Sequence, residues 1–407
     1  MILAFLLGAF LVLAQMTQLR GDEPIGILDL LLVAGALAAA GSNFIKPKSL
    51  ADEPLGGGED SSLKIYFRSP VFIYAIWSIL AIGASTVINS QSGLYPLASF
   101  FVPAAPFIAT SLVTICLVIV VEGDEGDSLL AGFAFASLFL GIIYTFGALT
   151  SNAAMMYEDR FSGLSANPNQ VALQALATLV ALAMVIMHTR SNITFYIAAA
   201  ATPFTLAYGL ASKSDAFMIC LPVATAVFGL IVLKRYQIKL WLVIVAGTFL
   251  SLAFLLSLAA AFPHIFGGVG GLIESQLQQG GQDTDRTLLW RHGWMAWQHS
   301  PLFGNGPGAW SGLGAPFQGF EAHNSLIDWL SISGLFGFVP IALIIVQLFR
   351  KYDDVRLIRA LGIVALAIFT AFHFVFRLPI FWFTVLLLLM PYYVQWQRVV
   401  ENDAPQQ

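Results

Sequence analysis

Long apolar stretches alternate with short polar connections along this chain of 407 residues. Most stretches are close to the roughly 20 residues with which an α-helix crosses about 30 Å of hydrocarbon. They are too long for barrel strands of about 9–11 residues, and polar and apolar residues do not alternate within them. The pattern predicts an all-α integral membrane protein of about 12 transmembrane helices. The expected spans lie near residues 1–17, 25–45, 70–89, 97–121, 128–149, 169–188, 193–211, 215–233, 239–262, 325–349, 357–376 and 379–397.

The composition agrees with a membrane protein. Hydrophobic residues make up 58% of the chain and charged residues 10%, whereas a soluble domain carries roughly 25% charge. Cys116 and Cys220 both lie within apolar stretches, which indicates neither a disulfide nor a metal site. Residues 1–16 lack a basic leading segment and a cleavage site, so they are expected to form a retained first helix. No nucleic-acid partner is expected.

The distribution of basic residues predicts the orientation of the spans. With both termini in the cytoplasm, 13 of the 19 Lys and Arg residues fall in cytoplasmic connections or the tail. Basic residues accumulate on the cytoplasmic side of membrane proteins, so this topology is favoured. The outer side then keeps Arg20, Arg160, Lys213, Arg286, Arg291 and Arg377.

The chain is expected to divide into helices 1–9 (residues 1–262), a long outer loop (263–324), and helices 10–12 with a cytoplasmic tail (325–407). The loop contains four of the six histidines, namely His264, His292, His299 and His323. Loops on a rigid scaffold often carry function. The chain lacks an internal repeat and has almost no charge within the spans, although both are common in transporters. An enzyme is therefore favoured, and a transporter is the alternative.

Several outer cations are candidates for binding a phosphorylated headgroup. They are Lys213, Arg160, Arg286 and Arg291. Guanidinium groups match phosphate oxygens in a bidentate manner, and lysine supplies a point charge. The alternative for each is a surface ion pair with a neighbouring carboxylate such as Asp159 or Asp285.

Residues 283–299 are predicted to form a helix, with Trp290, Trp294 and Trp297 on one face. Three indoles in a row suit a helix at the membrane interface, and packing against other helices is the alternative. Gly304, Gly306 and Gly308 then alternate in the next segment. Glycine allows a plain turn, and it also allows the backbone to approach a ligand closely.

His323 lies where the long loop re-enters the membrane. A histidine there can be neutral at pH 7 and accept a proton, or it can simply cap the following helix. Gly334 and Gly337 lie on one side of that helix and are expected to allow close helix packing. The loop histidines lack the short spacings of common zinc sites, so no metal is predicted.

These motifs, taken in order, resemble the O-antigen ligase and polymerase superfamily. They are Arg286-Thr-Leu-Leu-Trp290, Pro301-Leu-Phe-Gly-Asn-Gly-Pro-Gly308, His323-Asn-Ser325 and Gly334-Leu-Phe-Gly337. Upstream, Asn167-Pro-Asn169 resembles the family's Asn-Pro-Asn stretch before a span. Ser212-Lys213 lies where the family has a Ser-Arg pair, and lysine keeps the charge but loses the guanidinium fork.

The resemblance implies a bacterial inner-membrane transferase that uses a polyprenyl-diphosphate-linked glycan at the periplasmic face, without a cofactor or metal. The acceptor would be another glycan or the lipid A core, and a polymerase is slightly favoured over a ligase. His323 is the expected general base and Arg286 the main phosphate ligand. Lys213, Arg160, Arg291, Asn324, Asn167, Asn169, Gly304, Gly306 and Gly308 are the expected substrate-binding residues. The alternative is a glycan transporter or flippase without transferase activity.

Overall fold

A computed structural model describes residues 1–14, 25–45, 66, 69–91, 98–123, 125–236, 282–308, 320–350 and 355–390. The expected ninth span, residues 239–262, lies outside the described residues, as does much of the long loop. The structure describes the backbone of Arg286 but not its side chain. The predicted count of about 12 spans therefore stays a prediction.

The described residues are mostly helical. The helices are α1 (Ile2–Leu13), α2 (Ile27–Ile45), α3 (Pro70–Gln91), α4 (Ala98–Glu122), α5 (Gly126–Leu149), α6 (Pro168–His188), α7 (Asn192–Ala211), α8 (Asp215–Tyr236), α9 (Gln282–His299), α10 (Ser325–Arg350), α11 (Arg356–Thr370) and α12 (Pro379–Leu389). Between α5 and α6 lie a 3₁₀ turn (Ala153–Met155) and a short antiparallel hairpin of β1 (Met156–Tyr157) and β2 (Arg160–Phe161).

Among the described residues, six helices are long and apolar enough to cross a membrane: α3, α4, α5, α6, α7 and α10. Four shorter apolar helices, α1, α2, α8 and α12, accompany them. The structure thereby confirms the predicted fold class, an all-α membrane protein.

Helix α6 is the centre of the bundle, because its residues are buried along nearly its whole length. It packs against α7, α8 and α12. The Asn167 side chain caps its N-terminus by accepting a hydrogen bond of 3.0 Å from the Gln170 amide. Pro168 follows at the first helical position, where its missing N–H group leaves no intrahelical bond unmade. Residues before and at the start of α6 are thus fixed relative to the core.

Helix α10 is broken at Gly334, whose φ of 62° lies in the left-handed region. The segment that follows α9 pairs with the break: the Leu335 amide donates to the Pro301 carbonyl at 2.9 Å, and the Gly306 amide donates to the Ile332 carbonyl at 3.0 Å. A β-carbon added to Gly334 would lie 2.5 Å from the Leu302 carbonyl carbon. Gly334 therefore packs against the preceding loop rather than against another helix.

The expected span at residues 357–376 is wrong at its C-terminal end, because the helix ends at Thr370. Residues 371–376 of the predicted span instead lie in a loop, residues 371–378, whose carbonyl groups accept hydrogen bonds from other elements. Asn324 Nδ2 donates to the Ala371 carbonyl at 3.2 Å, and Thr110 Oγ1 donates to the Arg377 carbonyl at 2.5 Å. Pro379 then starts α12. This connection is called the α11–α12 loop below.

Candidate functional site

A cavity of about 580 Å³ lies where several helix ends meet. Its walls come from the start of α2, the first half of α4, the start of α6, the loop that precedes α10, and the α11–α12 loop. Its polar lining consists of Asp29, Thr110, Asn167, Asn169, Gln170, Glu321, His323, His373 and Arg377. The α2 and α4 walls are mainly apolar, with Leu32, Val33, Val102 and Val113 among them. The cavity thus offers a site with one polar and one apolar part.

His323 reaches this cavity from a backbone conformation that non-glycine residues rarely adopt, with a φ of 54°. Its side chain is 49% exposed, and its Nδ1 atom lies 4.0 Å from Glu321 Oε2. Such conformations persist only where the surroundings fix them, and they cluster at functional sites. His323, the predicted catalytic base, therefore presents an exposed imidazole on the wall of the cavity.

The buried carboxylate of Asp328 fixes the loop that carries His323. Its Oδ1 accepts a hydrogen bond of 2.7 Å from the Ala322 amide, and its Oδ2 accepts one of 3.2 Å from the Asn324 amide. Asp328 is fully buried in the first turn of α10. The backbone on both sides of His323 is thereby bound to the rigid helix.

Asn324 and Ser325 join the start of α10 to the α11–α12 loop. Asn324 Oδ1 accepts a bond of 3.1 Å from the Leu326 amide and so caps α10. Ser325 Oγ donates to the His373 carbonyl at 2.5 Å and accepts from the Val375 amide at 3.1 Å. Asn324 was predicted to bind substrate. The structure gives it a capping role, and its binding role stays a prediction.

Arg377 lines the cavity, although its sequence context indicated only a cation on the predicted outer side. Its guanidinium forms an ion pair with Glu321 Oε1 and lies 5.6 Å from the centre of the Phe374 ring. Among the described residues that line the cavity, Arg377 has the only Lys or Arg side chain. Its place on the predicted outer side was the one sequence feature that pointed to a role in the site. Arg377 and His323 are far apart along the chain, so the sequence did not indicate that they share a cavity.

Asn167 and Asn169 both line the cavity, and their role in substrate binding stays a prediction. Arg160 supports this wall from behind: Nη2 donates to Asn169 Oδ1 at 3.1 Å, and Nε donates to the Ser212 carbonyl at 3.0 Å. Arg160 itself is not among the described lining residues. It connects the β-hairpin, α6 and the α7–α8 turn.

Lys213 lies in that turn, with a φ of 50°. Its Nζ atom is 2.8 Å from Asp159 Oδ2, and the two side chains are 13% and 75% exposed, respectively. This hydrogen bond lowers the pKa of Asp159 from its ordinary value. The ion pair that was the alternative to phosphate binding is thus present, and Lys213 does not line the cavity in the described part of the chain.

The predicted loop helix is present as α9, which packs against α10. Arg291 is exposed on it. Trp294 is 45% exposed, its ring centre lies 4.5 Å from that of Trp297, and Trp297 Nε1 donates to the Pro301 carbonyl at 3.2 Å. Trp294 and Trp297 therefore contact each other, and Trp297 also contacts the following segment. Their position at a membrane interface stays a prediction.

The three glycines after α9 all have positive φ, with values of 70°, 86° and 96° for Gly304, Gly306 and Gly308. A β-carbon on Gly304 would lie 2.3 Å from the Ile332 carbonyl carbon, and one on Gly306 would lie 2.8 Å from the Phe100 ring. The structure thus requires glycine for packing at these two positions. Contact of the three glycines with substrate stays a prediction.

Within the described residues, no three or more His, Cys, Asp and Glu side chains are grouped so as to hold a metal ion. A search among curated proteins finds no match. A family model described as O-antigen ligase matches residues 200–342. The matched segment contains Lys213, α9, the glycine segment, His323 and the break in α10. Residues 200–342 of this chain are therefore similar to the O-antigen ligase family, which the motifs also resemble.

Proposed function

We propose that this protein is an inner-membrane glycosyltransferase that moves a polyprenyl-diphosphate-linked glycan onto a hydroxyl group at the periplasmic face. The observation that carries the proposal is the cavity in which His323 meets a polar wall, with apolar side chains opposite. The O-antigen ligase match over residues 200–342 supports the same class of reaction. The partners are the lipid-linked donor, a glycan or lipid A-core acceptor, and the bilayer.

The two parts of the cavity suit the two parts of such a donor. Apolar residues of α2 and α4, including Leu32 and Val102, suit the prenyl chain. The amides of Asn167, Asn169 and Gln170 can donate and accept hydrogen bonds, which suits sugar hydroxyls. We propose that the reacting bond lies between these regions, next to His323.

Fixed cations near this point would stabilise the departing diphosphate. Arg286 is the main candidate, with Arg291 on the same helix. Lys213 is held by Asp159 and would exchange this partner for phosphate, whereas Arg160 holds the Asn169 wall. Because diphosphate leaves as a stabilised anion, we propose that the reaction needs no metal, and turnover in the presence of a chelator tests this.

In the proposed reaction, His323 removes the proton from the acceptor hydroxyl while the acceptor oxygen attacks the anomeric carbon. The bond between that carbon and the phosphate oxygen breaks, and the diphosphate takes the electron pair. A single displacement inverts the anomeric configuration. General base catalysis contributes roughly 10²–10⁴-fold. We propose that Asn324 orients the acceptor and that the segment with Gly304, Gly306 and Gly308 closes over the glycan.

The test uses purified protein in detergent and lipid-linked glycan extracted from cells that lack the protein. Product formation without a second compartment would support a transferase. Absence of turnover together with glycan movement across liposomes would instead support a flippase. We favour a polymerase over a ligase. Loss of a polymerase leaves single repeats on the final acceptor, whereas loss of a ligase leaves long chains on the polyprenyl carrier.

A further inference from the structure

In the cavity, the Glu321 side chain lies between the side chains of Arg377 and His323. Its Oε1 atom pairs with the Arg377 guanidinium, and its Oε2 atom lies 4.0 Å from His323 Nδ1. The Glu321 side chain is 16% exposed, against 49% for His323. One carboxylate thus faces a fixed cation on one side and the proposed base on the other.

Groups other than Glu321 already fix the backbone of this loop. The Ala322 and Asn324 amides are both bound by Asp328, and Asn324 caps α10 through its own side chain. The loop is also tied to the neighbouring connection by Ser325. The Glu321 carboxylate, in contrast, is directed at the Arg377 and His323 side chains. Its position therefore calls for an explanation other than local folding.

We infer that Glu321 is a positioning residue for His323 and that Arg377 holds Glu321 in place for this role. The inference rests on the proposed function and adds two residues to its site. A nucleophile's base is commonly oriented by a third group, and a carboxylate at Nδ1 leaves Nε2 directed at the acceptor. A separation of 4.0 Å is long for a hydrogen bond, and such bonds often tighten only when substrate is bound.

The charge balance of this arrangement is simple. His323 takes up one proton from the acceptor hydroxyl, and the nearby carboxylate of Glu321 stabilises the positive imidazolium that forms. Arg377 holds that carboxylate in place through their ion pair. No proton moves to Glu321, so the only proton transfer remains the one to His323.

Other charged or titratable groups face the same cavity and bear on the pH dependence. They are Asp29 from α2, and His373 and Arg377 from the α11–α12 loop, while Asp328 lies beneath the His323 backbone. The pH profile is therefore compared between the unaltered protein and Glu321→Gln, which leaves these groups in place.

The experiment measures kcat, KM and the pH profile of Glu321→Gln in detergent, with lipid-linked glycan extracted from cells that lack the protein. We expect kcat to fall by about 10- to 100-fold, less than removal of the base itself, and the donor KM to stay within about twofold. The acid limb of the pH profile should move to lower pH, because loss of a negative charge disfavours the protonated imidazole. Glu321→Asp should recover part of the rate.

Arg377→Met should lower kcat to a similar extent, and the Glu321→Gln and Arg377→Met double variant should be little worse than either single variant. Residues that act as one unit show such non-additivity. Glu158→Gln, which neutralises an exposed carboxylate outside the cavity, is the matched control and should behave as the unaltered protein. Each variant is first checked for membrane abundance and a single peak in size-exclusion chromatography.

An unchanged kcat and acid limb in Glu321→Gln would overturn the inference, and so would an effect confined to KM. In that case an inactive His323→Asn variant would leave the proposed function intact. A fully active His323→Asn variant would instead remove the proposed base, whatever Glu321→Gln does.

Discussion

Gly334 in the break of α10 lies so close to Gly304 that a β-carbon added to it would be 2.6 Å from the Gly304 amide nitrogen. Around this contact, the segment after α9 and the two halves of α10 exchange backbone hydrogen bonds in both directions. The carbonyl of Gly304 also accepts a bond of 3.0 Å from Asn89 Nδ2 on α3. The loop and the broken helix are therefore one packed unit that ends at the cavity wall with His323.

Gly334→Ala should destabilise this unit. Alanine at a φ of 62° is strained, and its β-carbon would meet backbone atoms that cannot move independently, so we expect a loss of about 1–3 kcal/mol or more. Thermal unfolding in detergent measures the loss. Gly83→Ala is the matched control, because a β-carbon there meets nothing within 4 Å and should be neutral or slightly stabilising in a helix. Equal melting of the two variants would contradict the packing described here.

His323→Asn should abolish product formation while the protein stays folded in the membrane. Asparagine tolerates the left-handed backbone of this position better than alanine, so the variant removes the imidazole with little strain. Polymer is assayed in cells that produce only the variant, and membrane abundance is measured in parallel. His299→Asn, at the exposed end of α9, is the control and should retain activity. Normal polymer from His323→Asn would exclude His323 as the base.

Asp159→Asn should lower the donor KM by about two- to fivefold, if Lys213 helps to bind diphosphate. Exposed ion pairs contribute only about 0.2–1 kcal/mol, so release of Lys213 has a small effect. Lys213→Met should raise the KM. Because Lys213 lowers the pKa of Asp159, the pair is intact above the ordinary range of that carboxylate and is lost only as pH falls through the lowered pKa. The KM comparison is therefore made at neutral pH, and a KM that is unchanged or moves in the same direction in both variants would argue against phosphate binding.

Asn167→Ala should mainly lower stability, whereas Asn169→Ala should mainly weaken substrate binding. Asn167 caps the central helix, so its loss should lower the free energy of unfolding by about 0.5–2 kcal/mol, and Asn167→Ser should restore it. Asn169 lines the cavity and accepts a bond from Arg160, so its loss should mainly raise KM. Thermal unfolding and donor kinetics, measured on both variants, separate the two roles. A similar effect on both quantities in both variants would refute the distinction.

The sequence by itself indicated the membrane class, the helix of residues 283–299, and the similarity of residues 200–342 to the O-antigen ligase family. These features depend on local hydrophobicity and on short motifs. Both can be read from the sequence without knowledge of the fold. The same reasoning failed at residues 371–376, where apolar residues suggested a continued helix. The side chains of Asn324, Ser325 and Thr110 donate hydrogen bonds to backbone carbonyl groups of the α11–α12 loop and hold that segment as a loop.

Only the tertiary structure decided which polar groups share a cavity. It brought Arg377 and Glu321 to His323, and it paired Lys213 with Asp159 behind the wall. It also showed that Gly334, which was expected to allow helix packing, forms the break in α10 and packs against Gly304. The physical reason is that ion pairs and close backbone contacts depend on distances in space. Residues far apart along a chain become neighbours only when the helices that carry them pack together.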